Sequence, residues 1–589
     1  MKRKLLLLVF LLVSFVLPTS IFAESITKEQ AQKIATEFLR SQPGLSHVGQ
    51  LKMVYDGADR VKSAQNPTPA LYIYDNPNGK GFVIVSGDDI AYPILGYSYE
   101  SDFPQENMPV NIREWIEGME ERINYGREKG YRSMELHSTK ASTGDVVTKL
   151  QTAIWNQGYP YNIYCPKING ASTYTGCTIT ATAIIMYYHK HPERGTGTIP
   201  QYTTSSNSIF MPAVQLGHTY NWSKMLESYR TGQFSQEEAN NVARLMSDIG
   251  CAVKADYGTD GTGAYTGEVV KALVNYFGYD KSAISNTRSN YTNEDWYNLI
   301  KAELNSSRLV LYSGFNDEAG HAFVLDGYTT DNYFSVNWGW GGSYNGFFLL
   351  DALNPSGSGI GGNNDHYNFN QDCLTNLMPD AGGDWIDKMG MTGQGFMCDI
   401  RTFETNKEYT IVIDKLFNIG NCMFVGNIMC AHTDKDGKIK EILKNYYIPE
   451  STELLPDWGW SQFTFDIVIE EKIEEGDRLR MFYKTSRMDD WALIKGGENC
   501  LWELIISNSE PIDVNTGISY NKENKLLVIK KKDENIKVKF YNSQYDDLSS
   551  RCTEETGKVS INTGDLPSGT YIIKLSRNSE EVEIKVKLN

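Results

Sequence analysis

The chain has 589 residues, is 41% hydrophobic and 22% charged, and carries a formal net charge of −17. It is long enough for about four domains with their own cores, and its acidity speaks against nucleic acid or anionic lipid as a partner. Nine cysteines without a C-x-x-C pair fit neither a dense disulfide scaffold nor a zinc pattern, and the odd number leaves one thiol over.

In chain order, residues 1–23 read as a secretory signal: Lys2-Arg3-Lys4, a leucine- and valine-rich centre, and Ala23 before Glu24. The apolar run is short for a stable membrane span, and no cysteine at the cleavage point suggests a lipid anchor. Residues 25–125 carry an α+β pattern. Thr27 and Gln30 form a capping-box signature, and Ala31, Ile34, Phe38 and Leu39 then share a helical face. Strands are expected at Leu71-Tyr72-Ile73-Tyr74 and Phe82-Val83-Ile84-Val85, with a second helix burying Trp115, Ile116, Met119 and Ile123. The region is either an independent small domain or a pro-segment. Residues 127–142 are polar and aperiodic and contain Lys129, Arg132 and Lys140, which predicts a linker open to processing.

From residue 143 to 379 the chain turns glycine- and aromatic-rich. Helical patterns at 177–191 and 235–249 precede strand-like runs at 309–312, 321–325, 333–338 and 347–350. Helices first and sheet later predict an α+β fold with a cleft between the layers. Alternating strands then dominate, as in Tyr409-Thr410-Ile411-Val412-Ile413 and Phe463-Thr464-Phe465-Asp466-Ile467-Val468, predicting a β-sandwich over 384–512. A second, smaller β-sandwich is expected over 516–589, with Leu526-Leu527-Val528-Ile529, Ile536-Lys537-Val538-Lys539-Phe540 and Tyr571-Ile572-Ile573-Lys574-Leu575 as strands.

One stretch favours chemistry. In Thr175-Gly176-Cys177 the thiol opens an apolar helix, where backbone N–H groups and the helix dipole stabilise a thiolate. Taken alone, a free cysteine is more often a small buried apolar residue. A nucleophile needs a base, something to hold the base, and donors for an oxyanion. Of eight histidines, His189 and His191 end that helix and read as complementing its dipole by charge. His47, His137, His218, His366 and His432 have no supporting pattern. His321 follows Gly320 at a strand entrance, and sixteen residues on lies Asn337-Trp338-Gly339-Trp340-Gly341-Gly342. If the two strands form a hairpin, Asn337 can fix the imidazole tautomer and Trp338 can screen that bond from water. Upstream, Gln157 on a tight turn is a candidate oxyanion donor with the Cys177 N–H.

Together these motifs resemble the streptopain-type cysteine peptidases of the papain-like clan. The resemblance rests on Trp155-Asn156-Gln157, Thr175-Gly176-Cys177, Tyr220-Asn221-Trp222, the run from Gly320-His321-Ala322 to Asp326-Gly327, Val336-Asn337-Trp338-Gly339-Trp340-Gly341-Gly342, and Gly346-Phe347-Phe348 through Asn354-Pro355, in the family's order over roughly 150–378. Residues 25–125, with Gly81-Phe82-Val83-Ile84-Val85-Ser86-Gly87-Asp88-Asp89 and Pro93-Ile94-Leu95-Gly96-Tyr97, are similar to the family's inhibitory prodomain. The simplest members end soon after the catalytic domain. The β-rich half here is similar to extensions on Bacteroidetes-type peptidases, and residues 564–575 resemble a C-terminal sorting domain for secretion across the outer membrane.

The resemblance implies a signal peptide over 1–23, an α+β inhibitory prodomain over 24–140, and a papain-like two-layer peptidase over 141–379. C-terminal β-sandwich domains follow over 384–512 and 516–589, the last a possible sorting domain. It implies a secreted or cell-surface zymogen of a cysteine endopeptidase, acting on proteins and peptides, inhibited by its own prodomain and handled by outer-membrane secretion machinery. Its site residues would be Cys177, His321, Asn337, Gln157 and Trp338, with no metal or organic cofactor. An apolar pocket bordered by residues 257–265 and 357–364 would set preference. Two other readings remain at this stage: another acyl transfer on the same dyad, such as transglutamination or cell-wall amide cleavage, and a surface adhesin with an inactive peptidase domain.

Overall fold

The structure is a computed structural model. It describes residues 25–42, 49–57, 68–77, 80–104, 108–129, 144–315, 320–350, 371–397, 402–497, 500–506, 518–521, 524–531, 535–542, 547–564, 566–567, 569–577 and 580–588. The signal segment, the greater part of the expected linker, and the loop at 357–364 lie outside them. The chain divides into two compact units, residues 1–385 and 386–589.

The first unit opens with α1 (Lys28–Ser41), started by the expected capping box between Thr27 and Gln30. Four antiparallel strands follow: β1 (Lys52–Tyr55), β2 (Leu71–Asp75), β3 (Phe82–Ser86) and β4 (Ile94–Ser98). Next comes α2 (Val110–Lys129). This helix carries the chain past the expected start of the linker, because Arg127 is held in place. Its guanidinium ion-pairs with Asp88 at 2.7 Å and donates to the carbonyls of Thr68, Pro69 and Gly87.

After residue 143 come β5 (Val146–Lys149), α3 (Cys177–His189), α4 (Gln236–Ala252), α5 (Thr266–Tyr276), β6 (Ile284–Thr287) and α6 (Asn293–Asn305). Strands β7 (Val310–Phe315), β8 (Gly320–Thr329), β9 (Phe334–Asn337), β10 (Gly346–Phe348) and β11 (Gln371–Thr375) complete the unit. One sheet runs β1-β2-β3-β4-β10-β9-β8-β7-β11-β6, with β5 on β8. The seam is β4 against β10, where Tyr97 faces Phe347 and Gly96 faces Phe348. The strands of residues 25–129 therefore extend the same sheet that carries His321.

Every residue of α3 from Thr178 to Tyr187 is buried. A helix apolar on all sides must be enclosed, and α3 lies in a core with Val242, Leu273, Leu311 and Val324 from α4, α5, β7 and β8. A second core joins α1, α2 and β1–β4 to Trp296, Phe334, Trp338 and Phe348.

The second unit is sheet-rich. One sheet orders strands Gly459–Val468, Glu408–Asn418, Met389–Phe396 and Lys495–Gly496, and another is centred on Gly426–Thr433 and Arg478–Thr485. Ile411, Ile413 and Met391 from the first meet Ile428, Cys430 and Met481 from the second in one core, the packing that alternating inward residues predict. Two smaller sheets, containing Leu526–Lys530 and Gly569–Arg577, share a separate core of Leu527, Ile529, Phe540 and Ile573. Among the described residues no helix is long and apolar enough to cross a membrane.

Candidate active site

Gly176 sets the direction of Cys177. It adopts φ 94° and ψ 155° at the N-cap of α3, and a Cβ there would lie 2.5 Å from the Thr262 carbonyl oxygen. Only glycine meets both demands. The turn is reinforced by Thr180, whose hydroxyl donates to the Gly176 carbonyl at 2.9 Å and lies 3.0 Å from the Thr175 hydroxyl.

The half-buried Cys177 Sγ accepts the Ala322 N–H at 3.4 Å, so β8 delivers both that donor and the neighbouring His321 to the helix start. Burial by itself raises a thiol pKa. Here the hydrogen bond and charge of His321, followed by the Ala322 N–H and Thr178, overcome it and bring Cys177 below its ordinary value. The imidazole responds in the opposite sense. Burial opposes its charge, but Cys177 and Glu114 hold its pKa up to about 9.

Glu114 is the residue that sequence reasoning missed. It lies on α2, is 7% exposed, and places Oε2 2.7 Å from His321 Nε2. Nothing in the apolar face read from Trp115, Ile116, Met119 and Ile123 marks it. Its burial comes from a partner 207 positions later. The same helix is fastened to the chain after β10, with Trp115 Nε1 donating to the Leu349 carbonyl at 3.1 Å and Arg122 to Leu350 at 3.2 Å.

Gln157 is 5% exposed and joined to the segment before the nucleophile: its carbonyl accepts the Thr175 N–H at 3.1 Å and the Thr175 hydroxyl at 3.3 Å. Its side-chain amide makes no hydrogen bond among the described residues.

Asn337 departs from expectation. Its Nδ2 donates to Thr152 Oγ1 at 3.0 Å and the Ala153 carbonyl at 2.9 Å, and its Oδ1 accepts the Gly339 N–H at 3.2 Å. Among the described residues no hydrogen bond joins this amide to His321. The register explains why: Asn337 faces Val324, three residues along β8 from the histidine. Trp338, 1% exposed, stands against Phe323 of β8 at 4.7 Å between ring centroids and Phe348 of β10 at 5.3 Å.

The dipole role expected for His189 fails as well. Burial, with His191 adding to it, drives its pKa down to about 4, and its Nδ1 lies 3.2 Å from the Tyr279 hydroxyl. It is a neutral packing group at neutral pH. Among the described residues no cluster of three or more His, Cys, Asp or Glu is arranged to hold a metal ion.

A thiol lowered by an adjacent imidazole, with donors converging on a helix start, is the equipment of a cysteine hydrolase. Comparison with known proteins makes the class specific. A family model described as the peptidase C10 family matches residues 155–348, and one described as the Spi protease inhibitor matches residues 23–123. Streptopain of Streptococcus pyogenes is 33% identical over 411 residues, 64% of this chain and 100% of streptopain. The thiol protease/hemagglutinin PrtT of Porphyromonas gingivalis is 32% identical over 373 residues, covering 61% of this chain and 42% of PrtT. Among solved structures, a prointerpain A fragment of Prevotella intermedia is 30% identical, with TM-score 0.46, over 56% of this chain and 99% of the fragment. The chain belongs to the peptidase C10 family of streptopain-type cysteine proteases, with an inhibitor-like prodomain ahead of the peptidase.

Proposed function

We propose that the chain is an exported zymogen of a papain-like cysteine endopeptidase, with Cys177 as nucleophile. The Cys177 thiolate attacks a peptide carbonyl. His321 keeps the proton and then delivers it to the leaving amine, and water releases the acyl-enzyme with His321 as base. Gln157 and the Cys177 N–H stabilise the tetrahedral oxyanion. The unoccupied Gln157 amide, tied through Thr175 to the nucleophile's own turn, supports that role. Trp338 holds the strand behind the imidazole. The observation that carries the reading is the placement of Cys177 Sγ at the start of α3, 3.4 Å from the Ala322 N–H on the strand that bears His321.

In this proposal residues 1–23 direct export and residues 24 to about 140 restrain the enzyme until removed. Glu114 supports the restraint. Together with Cys177 it holds the His321 proton at a pKa of about 9, which makes the imidazolium a poorer acid toward the leaving amine, and α2 and the segment after β4 fasten to the chain beside the site. Ser101 donates to the Gly342 carbonyl at 2.9 Å, and Tyr344 donates to the Pro104 carbonyl at 2.8 Å. In this proposal residues 384–512 and 516–589 are two β-sandwich domains, the second a sorting domain, and the sheet-rich second unit with its two separate cores supports that reading.

The test is Cys177→Ala in the full chain. It should abolish both casein hydrolysis and self-processing, and persistence of both would remove Cys177 as nucleophile. Product analysis on protein and on peptidoglycan separates peptide hydrolysis from other acyl transfer.

A further inference from the structure

Asp326 lies on β8, five positions after His321, and is 1% exposed. A buried carboxylate without compensation is strongly destabilising, so its partners say what it is for. Lys149, the last residue of β5, approaches Oδ2 at 2.6 Å, and the Thr152 hydroxyl donates to the same oxygen at 2.9 Å. Thr152 in turn accepts from Asn337 Nδ2 at 3.0 Å. The donors point one way along this chain, from amide to hydroxyl to carboxylate, so the charge at its end strengthens each bond.

Asn337 spends its remaining bonds on the turn that follows and on the segment leading to Gln157. Its Nδ2 also donates to the Ala153 carbonyl, and its Oδ1 accepts the Gly339 N–H. The turn continues the attachment, since Gly341 N–H donates to the Trp155 carbonyl at 2.7 Å. Gly339, at φ 74°, is close enough to α3 that a Cβ would sit 3.1 Å from Thr180 Cγ2. One hydrogen-bond network therefore ties the strand of His321 to residues 152–155, two positions before the proposed oxyanion donor, and the turn at Gly339 packs closely on Thr180 in the first turn of α3.

We propose that Asp326, acting through Thr152 and Asn337, is a positioning residue that sets Gln157 against Cys177 for the peptidase reaction. This rests on the peptidase reading above. Oxyanion stabilisation operates only once charge develops on the carbonyl oxygen, so loosening the network lowers kcat and leaves KM alone. Lys149 brings the strand immediately after the linker into the network, which requires the mature amino terminus to lie upstream of it.

The experiment compares Thr152→Val, Thr152→Ser and Asp326→Asn in the full chain, each taken through the same activation and assayed on a fluorogenic peptide. Thr152→Val keeps the shape and breaks both bonds. It should lower kcat on the order of tenfold to a hundredfold with KM unchanged, while Thr152→Ser restores turnover. In a Gln157→Ala background Thr152→Val should cost little more, because the donor it positions is gone. Asp326→Asn, nearly isosteric, should lower kcat in the same direction and carries the test if Thr152→Val does not fold. Wild-type kcat in Thr152→Val, a loss confined to KM, no rescue by serine, or full multiplication of the two losses overturns the proposal. A wild-type chain that cleaves no peptide, or a Cys177→Ala chain that cleaves as well, defeats the peptidase reading itself.

Discussion

Two thiol-bearing regions of the first unit start from the same physical handicap and end in opposite states. In the core under α4, Cys165 and Cys251 are 7% and 4% exposed, and burial pushes them up to about 12 and about 11. At the amino end of α3, burial pushes Cys177 the same way, yet His321 and the Ala322 N–H reverse the outcome. Removal from water does not make a nucleophile. A charge partner delivered from a distant strand is what lowers this thiol.

The largest expected effect separates the two regions outright. Cys177→Ala or His321→Ala should bring peptide hydrolysis to background, whereas Cys165→Ala should retain it, measured as kcat/KM on a fluorogenic peptide. Gln157→Ala comes next, with kcat reduced on the order of 10² and KM little changed. Mass mapping after brief alkylation near neutral pH should find Cys177 modified and Cys165 and Cys251 untouched, and alkylation of Cys165 at the rate of Cys177 would erase the contrast.

Glu114 tests the partner rather than the thiol. Cys177 and, after it, Glu114 hold the His321 pKa at about 9, above its ordinary 6.5, so the stabilisation they share is complete below 6.5 and lost as pH rises through about 9. Processing of the full chain, which needs the His321 proton for the leaving amine, should therefore fall as pH rises through about 9. Glu114→Gln should move that fall to lower pH and leave the mature enzyme's own profile unchanged, read by following processing on gels across pH.

The smallest effect applies the same reasoning to a carboxylate. Asp280 is 0% exposed, but the Ser282 hydroxyl and the N–H groups of Ser282, Ala381 and Gly383 outweigh burial and bring it down to about 2 from an ordinary 3.8. Its contribution is complete above 3.8 and lost as pH falls through about 2. Asp280→Asn should lower Tm by a few degrees at neutral pH, with the difference vanishing near pH 2.

What the sequence reveals of this site follows from how local each cause is. The Cys177 turn is legible because glycine, thiol and helix start are adjacent, and the capping boxes at Thr27 and Ser235 mark α1 and α4 by residues three apart. Helix α5 has no side-chain cap at Tyr265, and α6, capped by Thr292, ends only a few residues before the strand-like run at 309–312. Periodicity alone did not single out either. The interval from His321 to Asn337 is visible in sequence, but the partners of the amide are chosen by Thr152 and Ala153, which come from another part of the chain. Glu114 is invisible for the same reason: only the folded prodomain brings it to the imidazole.

The seam between β4 and β10 gives removal of the prodomain a cost that cutting the linker does not reveal. Backbone groups of Phe347 and Phe348 now paired with Tyr97 and Gly96 become an open sheet border, with two phenylalanines beside it. Such borders recruit strands from other molecules. At three residues, β10 is a short template, which limits how much of a neighbour it can hold.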